Sequence, residues 1–202
     1  MNYKLPKKFV EHKNKVPEVA DLREMWDFNK KEYGEQKYFS YKKDKAVVTL
    51  TYNDMHETIQ KIGTAFYKIG VMGENIAIIT ETRYEWLACY MATVNGNGIV
   101  VPLDKELTEE QILNFLERAK VTCVAYSASF AKLMESYAEN TGRPDKKAKV
   151  FINLDLEPEK EELPEDQDYR MYSFETLLRI GEEALNENCA AFKDVIIDRE
   201  KP

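Results

Sequence analysis

Four short, uninterrupted apolar runs, separated by amphipathic helical patterns, constrain the fold of this chain more than any other feature. The runs are residues 76–79, 99–103, 121–126 and 149–154. Strands without polar alternation are covered on both faces, and parallel neighbours need helical crossovers between them. The sequence therefore predicts an α/β fold with one parallel sheet and helices on both faces, a doubly wound arrangement.

Capping signals and turn residues place the other elements. Crossover helices are expected near 83–95, 109–119 and 128–138, with a further helix after Ser173. A helix from Asp21 and a β-hairpin around the polar turn 42–45 come before the sheet. Paired residues that favour helix starts are Asp21 with Glu24, Thr51 with Asp54, Thr82 with Glu85, and Thr108 with Gln111.

The chain divides into four segments by composition. Residues 1–18 are predicted to be an N-terminal arm, 19–155 an α/β subdomain, and 156–169 a solvated acidic loop. Residues 170–202 are predicted to hold a helix and a last strand at Val195–Ile197. Because the sequence stops five residues later, we expect the chain to be a piece of a larger domain, an incomplete N-terminal domain. An uncovered strand at 195–197 would then favour self-association of the chain.

Composition excludes several classes of protein. The net charge of −7 argues against a partner with a phosphate backbone, so no nucleic acid is expected. No run of eighteen apolar residues exists, so no transmembrane segment is predicted. Cys89, Cys123 and Cys189 fit neither a disulfide framework nor a zinc pattern, which favours a reducing, cytoplasmic compartment.

Motifs that carry chemistry are scarce. No glycine-rich phosphate loop is present, and Gly96–Gly98 precedes a strand, which favours a tight helix-to-strand connection. His12 and His56 are the two histidines. His56 could serve as a general base, but an exposed first-turn histidine is favoured.

Other reactive or ligand-binding side chains are interpreted in the same way. Cys89 and Cys123 are predicted to be packed small hydrophobes rather than nucleophiles. Tyr84, Trp86 and Tyr90 could line a groove, although an aromatic stripe at helical spacing is usually core. We therefore assign no catalytic, cofactor-binding or metal-binding residue from the sequence.

Four segments, taken in order, resemble one enzyme family. The sequence T-L-T-Y-N-D at 49–54 is similar to the L-T-Y-x-[ED] segment of AMP-forming adenylating enzymes. The stretches 65–78 and 91–104 resemble that family's A-x-x-x-x-x-G-V-x-x-G-D-x-V-A-I and L-A-x-x-K-A-G-A-V-x-V-P-L-D segments. E-T-R-Y-E-W at 81–86 resembles the E-N-R-x-E-W signature of the long-chain fatty acid–CoA ligase branch.

The resemblance implies a two-step ligase. A fatty acid would react with ATP to give an acyl-adenylate, and coenzyme A would then take the acyl group. ATP, Mg²⁺ and coenzyme A are implied for a full-length parent, and none of them for this chain. The family's phosphate loop and adenylation lysine come later in such proteins, so this chain would be scaffold and inactive alone.

Two other readings stay open. One is a free-standing, non-catalytic α/β interaction or regulatory domain that docks through the acidic 156–169 loop. The other is a small-molecule-binding domain with its ligand at the carboxyl ends of the parallel strands.

Overall fold

The computed structural model describes residues 18–43, 45–139, 148–158 and 168–197. Within these ranges the chain forms a two-stranded hairpin and a five-stranded sheet. The hairpin strands are β1 (Lys37–Lys43) and β2 (Ala46–Thr51). The sheet strands are β3 (Asn75–Ile79), β4 (Ile99–Pro102), β5 (Cys123–Tyr126), β6 (Val150–Asn153) and β7 (Arg170–Ser173).

Six α-helices accompany these strands in the described residues. They are α1 (Leu22–Tyr33), α2 (Tyr52–Lys68), α3 (Tyr84–Asn95), α4 (Glu109–Arg118), α5 (Ala131–Glu139) and α6 (Phe174–Asn186). A single 3₁₀ turn, Ala128–Phe130, leads into α5.

The sheet is parallel throughout, in the order β4-β3-β5-β6-β7. Ile76 of β3 is paired with Val100 of β4 on one side and with Cys123 of β5 on the other. Strand β5 pairs in parallel with β6. The predicted α/β class is therefore confirmed. The strand order reverses between β3 and β5, and sheets of this kind commonly bind ligands at such a switch point.

Two large apolar clusters cover the two faces of this sheet. On one face, α2, α3 and α6 contribute residues such as Phe66, Cys89 and Leu177. On the other face, α4 and α5 contribute residues such as Leu116 and Tyr137. The central residues of β3, β5 and β6 are apolar and do not alternate with polar ones, as expected for strands covered on both faces.

Three of the predicted caps form and one does not. Thr51 with Asp54 and Thr108 with Gln111 form full capping boxes, and the Asp21 carboxylate accepts from the Glu24 backbone amide. The predicted Thr82–Glu85 box is wrong. Helix α3 begins at Tyr84 with Arg83 as its N-cap residue, since the Glu85 carboxylate is held by the Arg83 guanidinium instead.

The predicted strand at Val195–Ile197 is also wrong. These residues form no strand, and Ile196 is 87% exposed. Instead, the Arg23 guanidinium donates to the carbonyl of Val195 at 2.7 Å and to that of Phe192 at 3.1 Å. The reason given for self-association therefore fails, and self-association itself stays a prediction.

The strand β7 was missed by the sequence analysis. It pairs in parallel with β6 and joins residues 170–186 to the same sheet as the earlier strands. This strand has only four residues, three of them at least partly exposed, and it follows the acidic 156–169 stretch directly. Its apolar signal is therefore too weak to predict a strand from the sequence. Most of that stretch lies outside the described residues.

Helix α6 crosses α2 at unusually close range. A Cβ on Gly181 would lie 1.9 Å from the carbonyl oxygen of Lys61, so only glycine allows this approach. The Lys61 ammonium, in turn, donates to the Glu182 carboxylate at 2.9 Å. Two residues after Lys61, Gly63 is in contact with Phe192, which follows α6; a Cβ on Gly63 would lie 2.3 Å from that ring.

We predict that Gly181→Ala destabilises the fold by about 1–3 kcal/mol, because the two backbones must separate. In an exposed helix interior, Gly→Ala would stabilise the protein by up to about 1 kcal/mol. The sign of the change in unfolding free energy therefore distinguishes a close helix crossing from an ordinary helix position. Urea unfolding followed by circular dichroism measures it. Glu183→Ala, at an exposed position of the same helix, is the control. An unchanged or stabilised Gly181→Ala protein would contradict the close crossing.

Candidate functional site

A cleft of about 700 Å³ lies between the β-hairpin and the carboxyl edge of the sheet. Open parallel sheets commonly bind ligands at this edge, so the position itself makes the cleft the candidate site. Strand β1, the turn after β3, the loop after β6 and the start of α6 form its walls. The lining residues are Phe39–Lys43, Glu81–Glu85, Leu154–Glu157, Phe174 and Glu175.

A three-membered ion network forms part of this wall. The Arg83 guanidinium donates to both carboxylate oxygens of Glu85, each at 2.8 Å, and to Asp155 Oδ1 at 2.6 Å. Glu85 is buried, so its charge depends on this partner. The hydrogen bonds to Glu85 hold the pKa of the Arg83 guanidinium above its ordinary value.

Asp155 extends the network to a further loop. Its Oδ2 accepts from the backbone amide of Ala128 at 2.8 Å, at the start of the 3₁₀ turn. Its own amide donates to Asn153 Oδ1 at 3.1 Å. Arg83 and Asp155 thereby connect the loops that follow β3, β5 and β6, and they fix the carboxyl edge of the sheet.

Glu81 lies beside this network in a different environment. Its carboxylate accepts from the hydroxyl of Thr80 at 3.2 Å and from that of Ser129 at 3.3 Å. Its own backbone amide, together with the surrounding hydroxyls, lowers the pKa of Glu81, although desolvation opposes this shift. Glu81 is therefore an anion at neutral pH, two residues after the end of β3.

Aromatic rings line the side of the cleft nearest the hairpin. Tyr41 and Tyr84 stack with centroids 5.3 Å apart, and Tyr84 meets Phe174 edge to face at 5.9 Å. Phe39 continues the series, 6.3 Å from Tyr41. Burial is the main reason that the pKa of Tyr84 is raised, so its hydroxyl stays neutral.

The residues singled out from the sequence do not come together. His56 pairs with Asp27, Nε2 to Oδ1 at 2.9 Å, and does not line the cleft. Its side chain is 12% exposed, so the expectation of an exposed histidine is wrong. Of the aromatic trio, Tyr84 lines the cleft, whereas Trp86 and Tyr90 stack on each other outside it.

The cysteines lie where the sequence predicted. Cys89 and Cys123 are fully buried, and burial raises the pKa of Cys89 to about 12 and that of Cys123 well above its ordinary value. Neither thiol is a nucleophile at neutral pH. Cys189 is half-buried, and His12 lies outside the described residues.

Three cationic side chains line the cleft, those of Lys42, Lys43 and Arg83. The Arg83 guanidinium already has a carboxylate on each side. In the described ranges no group of three or more metal-ligating side chains occurs, and no helix there is long and apolar enough to cross a membrane.

Sequence reasoning missed Arg83 and Asp155 as site residues. One signal could have found them, because Asp155 comes two residues after an apolar strand and Arg83 four residues after another. Side chains at the carboxyl ends of parallel strands meet at one edge of the sheet. The aromatic wall gave no comparable signal, since the hairpin's position against the sheet is a long-range feature.

The comparisons with known proteins agree on one enzyme family. A family model described as "AMP-binding enzyme" matches residues 28–192. A crotonobetaine/carnitine–CoA ligase from Salmonella typhi is 23% identical over 126 residues, which is 61% of this chain and 24% of the relative. This chain thus spans about a quarter of the length of the curated relatives it matches.

Two solved structures share the fold. An anthranilate CoA ligase in complex with anthranoyl-AMP has a TM-score of 0.64 at 18% identity, covering 81% of this chain and 29% of that one. A fatty acyl CoA synthetase from Mycobacterium tuberculosis has a TM-score of 0.57 at 16% identity, covering 65% of this chain and 26% of that one.

We predict that Arg83→Met destabilises the fold by about 2–3 kcal/mol, because it leaves the buried Glu85 carboxylate without its partner. Thermal and urea unfolding at neutral pH measure the change. Arg179→Met is the matched control, since its ion pair with Glu183 is 63% and 60% exposed and should contribute less than about 1 kcal/mol. Equal effects of the two substitutions would contradict the assigned network.

Proposed function

Because the chain belongs to the AMP-binding enzyme family, we propose that it is the N-terminal part of a ligase that joins a carboxylic acid to coenzyme A. The family match over residues 28–192 carries this proposal. The order of the four sequence motifs and the parallel sheet with helices on both faces support it.

The proposed reaction has two group-transfer steps. The carboxylate oxygen of the acid attacks the α-phosphorus of ATP, and pyrophosphate leaves. The sulfur of coenzyme A then attacks the acyl carbon, and AMP leaves with the bonding electron pair. Such phosphoryl chemistry depends on groups that position and neutralise the phosphates.

This chain's own role in the proposal is structural. Its described residues contain no glycine-rich loop, and the one guanidinium of the cleft, Arg83, is paired with two carboxylates. Arg83 and Asp155 instead hold three loops at the carboxyl edge in one arrangement. We therefore propose a scaffold that presents this edge to the remainder of a longer protein, and that does not catalyse adenylation alone.

A fatty acid is the proposed acid substrate. The E-T-R-Y-E-W sequence at 81–86 supports it, because it resembles the signature of the fatty acid–CoA ligase branch. A small acid that carries a quaternary ammonium group is the second candidate. It is favoured by the curated relatives, four of which are named crotonobetaine/carnitine–CoA ligases.

Acid-dependent exchange of pyrophosphate into ATP tests the proposal. We predict no exchange by the purified 202 residues with any acid, since the phosphate-binding groups are missing. The native gene product, purified at the length it has in the cell, should exchange with palmitate and not with carnitine.

Each other outcome is informative. Exchange by the 202 residues alone would overturn the scaffold role. Exchange by the native product with carnitine alone would replace the fatty acid with the second candidate. A native product inactive with every acid tested would contradict the ligase and favour a free-standing interaction domain.

A further inference from the structure

We propose that the surface around Arg23 is where the part of a longer protein that follows residue 197 packs, and that Arg23 positions this segment. The surface consists of Val19, Leu22 and Ile196, and we name it the exit surface. The inference rests on the proposed function in one respect, namely that this chain is part of a longer protein. It does not depend on which reaction the longer protein catalyses.

The side chain of Arg23 joins the first helix to the end of the described chain. Its guanidinium donates to the carbonyls of Val195 at 2.7 Å, Lys193 at 2.9 Å and Phe192 at 3.1 Å. It also donates to the carbonyl of Asn95, the last residue of α3. A cation is favourable at that position, because the carbonyls at the C-terminus of a helix carry a partial negative charge.

The contacts of Arg23 fix a path of the backbone. All of these acceptors are main-chain carbonyls, so the guanidinium constrains the backbone at residues 192–195 rather than one side chain. A planar guanidinium presents several donors in a fixed arrangement, whereas a lysine ammonium is a single point on a flexible stem. The guanidinium also lies over the buried Phe192 ring, 5.6 Å from its centroid. The chain therefore leaves the described fold in a direction that Arg23 sets.

Exposed apolar side chains accompany this anchored backbone. Seven large apolar side chains are exposed in the described residues, and three of the seven belong to the exit surface. Leu22, directly before Arg23, is 37% exposed, and Val19 is 39% exposed. Ile196 follows the hydrogen-bonded Val195 and is 87% exposed. Single exposed apolar residues are ordinary, but a group of them beside a fixed backbone indicates a surface that packs against another segment.

The continuation of the chain is the occupant that fits this surface. Ile196 belongs to the surface itself, so the residues that follow it start there and need no linker to reach it. The match to a curated relative covers 24% of that relative, so most of a protein of that length would lie outside this chain. A second copy of the chain fits less well, because the net charge of −7 on each copy opposes association.

Thiol labelling at residue 196 tests the proposal. Ile196→Cys is made in a Cys189→Ser background, because Cys189 is half-buried whereas Cys89 and Cys123 are fully buried. The rate of reaction with a maleimide is measured for the 202-residue chain and for the native gene product, purified at the length it has in the cell. Mass spectrometry of the peptide that carries residue 196 gives the rate at that site. We expect labelling at least about tenfold slower in the native product, because a covered thiol reacts only after local opening.

Variants of Arg23 separate positioning from general stability. In the native product, Arg23→Met should raise the labelling rate at residue 196 by about fivefold or more, and Arg23→Lys should restore part of the protection. Arg179→Met, which removes an exposed ion pair, should leave this rate unchanged. Val47→Cys, at a position of the hairpin that is 67% exposed, is the control for global unfolding. Its labelling rate should be the same in every protein.

Four results would overturn the proposal. Slow labelling at residue 196 in the 202-residue chain would mean that residues of this chain already cover the surface. Equal rates in the two proteins, including the case of a native product that ends at residue 202, would mean that no continuation packs there. Equal slowing at residues 47 and 196 would reduce the effect to general shielding. An unchanged rate in Arg23→Met would remove the positioning role.

The ligase proposal fails separately from this one. A native product that protects residue 196 without acid-dependent pyrophosphate exchange would support the exit surface and contradict the ligase. A native product that exchanges pyrophosphate and leaves residue 196 unprotected would support the ligase and contradict the exit surface.

Discussion

The packing of α6 directly on α2 holds the last part of the described chain against the apolar core. The contact of Gly181 with the Lys61 backbone lets α6 lie directly on α2, and Phe192 then packs on Gly63. Because α2 also packs on the sheet, this contact joins the last part of the described chain to the apolar core. Arg23 holds the same part of the chain, since its guanidinium donates to the carbonyls of residues 192, 193 and 195.

The packing of α6 on α2 also shapes the candidate site. Helix α6 begins at the carboxyl edge of the sheet, and it carries Phe174 and Glu175 into the lining of the cleft. Tyr84 packs between Phe174 and Tyr41, so the hairpin is held against the sheet by the same aromatic wall that faces the cleft. The fold therefore positions aromatic rings and carboxylates at the carboxyl edge of the sheet, while Arg83 joins the loops of that edge through its ion pairs.

Local patterns predicted the elements well, and long-range contacts account for the failures. The apolar runs and the Thr51 and Thr108 caps depend on near neighbours, and they were predicted correctly. The Thr82 cap fails because Arg83, which also bonds to Asp155 72 residues away, holds the Glu85 carboxylate. The strand at 195–197 fails because Arg23, more than 160 residues earlier, donates to the carbonyl of Val195.

We propose that this chain is the N-terminal scaffold of an AMP-binding ligase, and sequencing of the gene past codon 202 tests this proposal. We expect a loop rich in serine, threonine and glycine, with a lysine, within about a dozen codons, because such a loop supplies phosphate-binding amides. A stop codon directly after Pro202 would contradict the proposal and favour a free-standing domain.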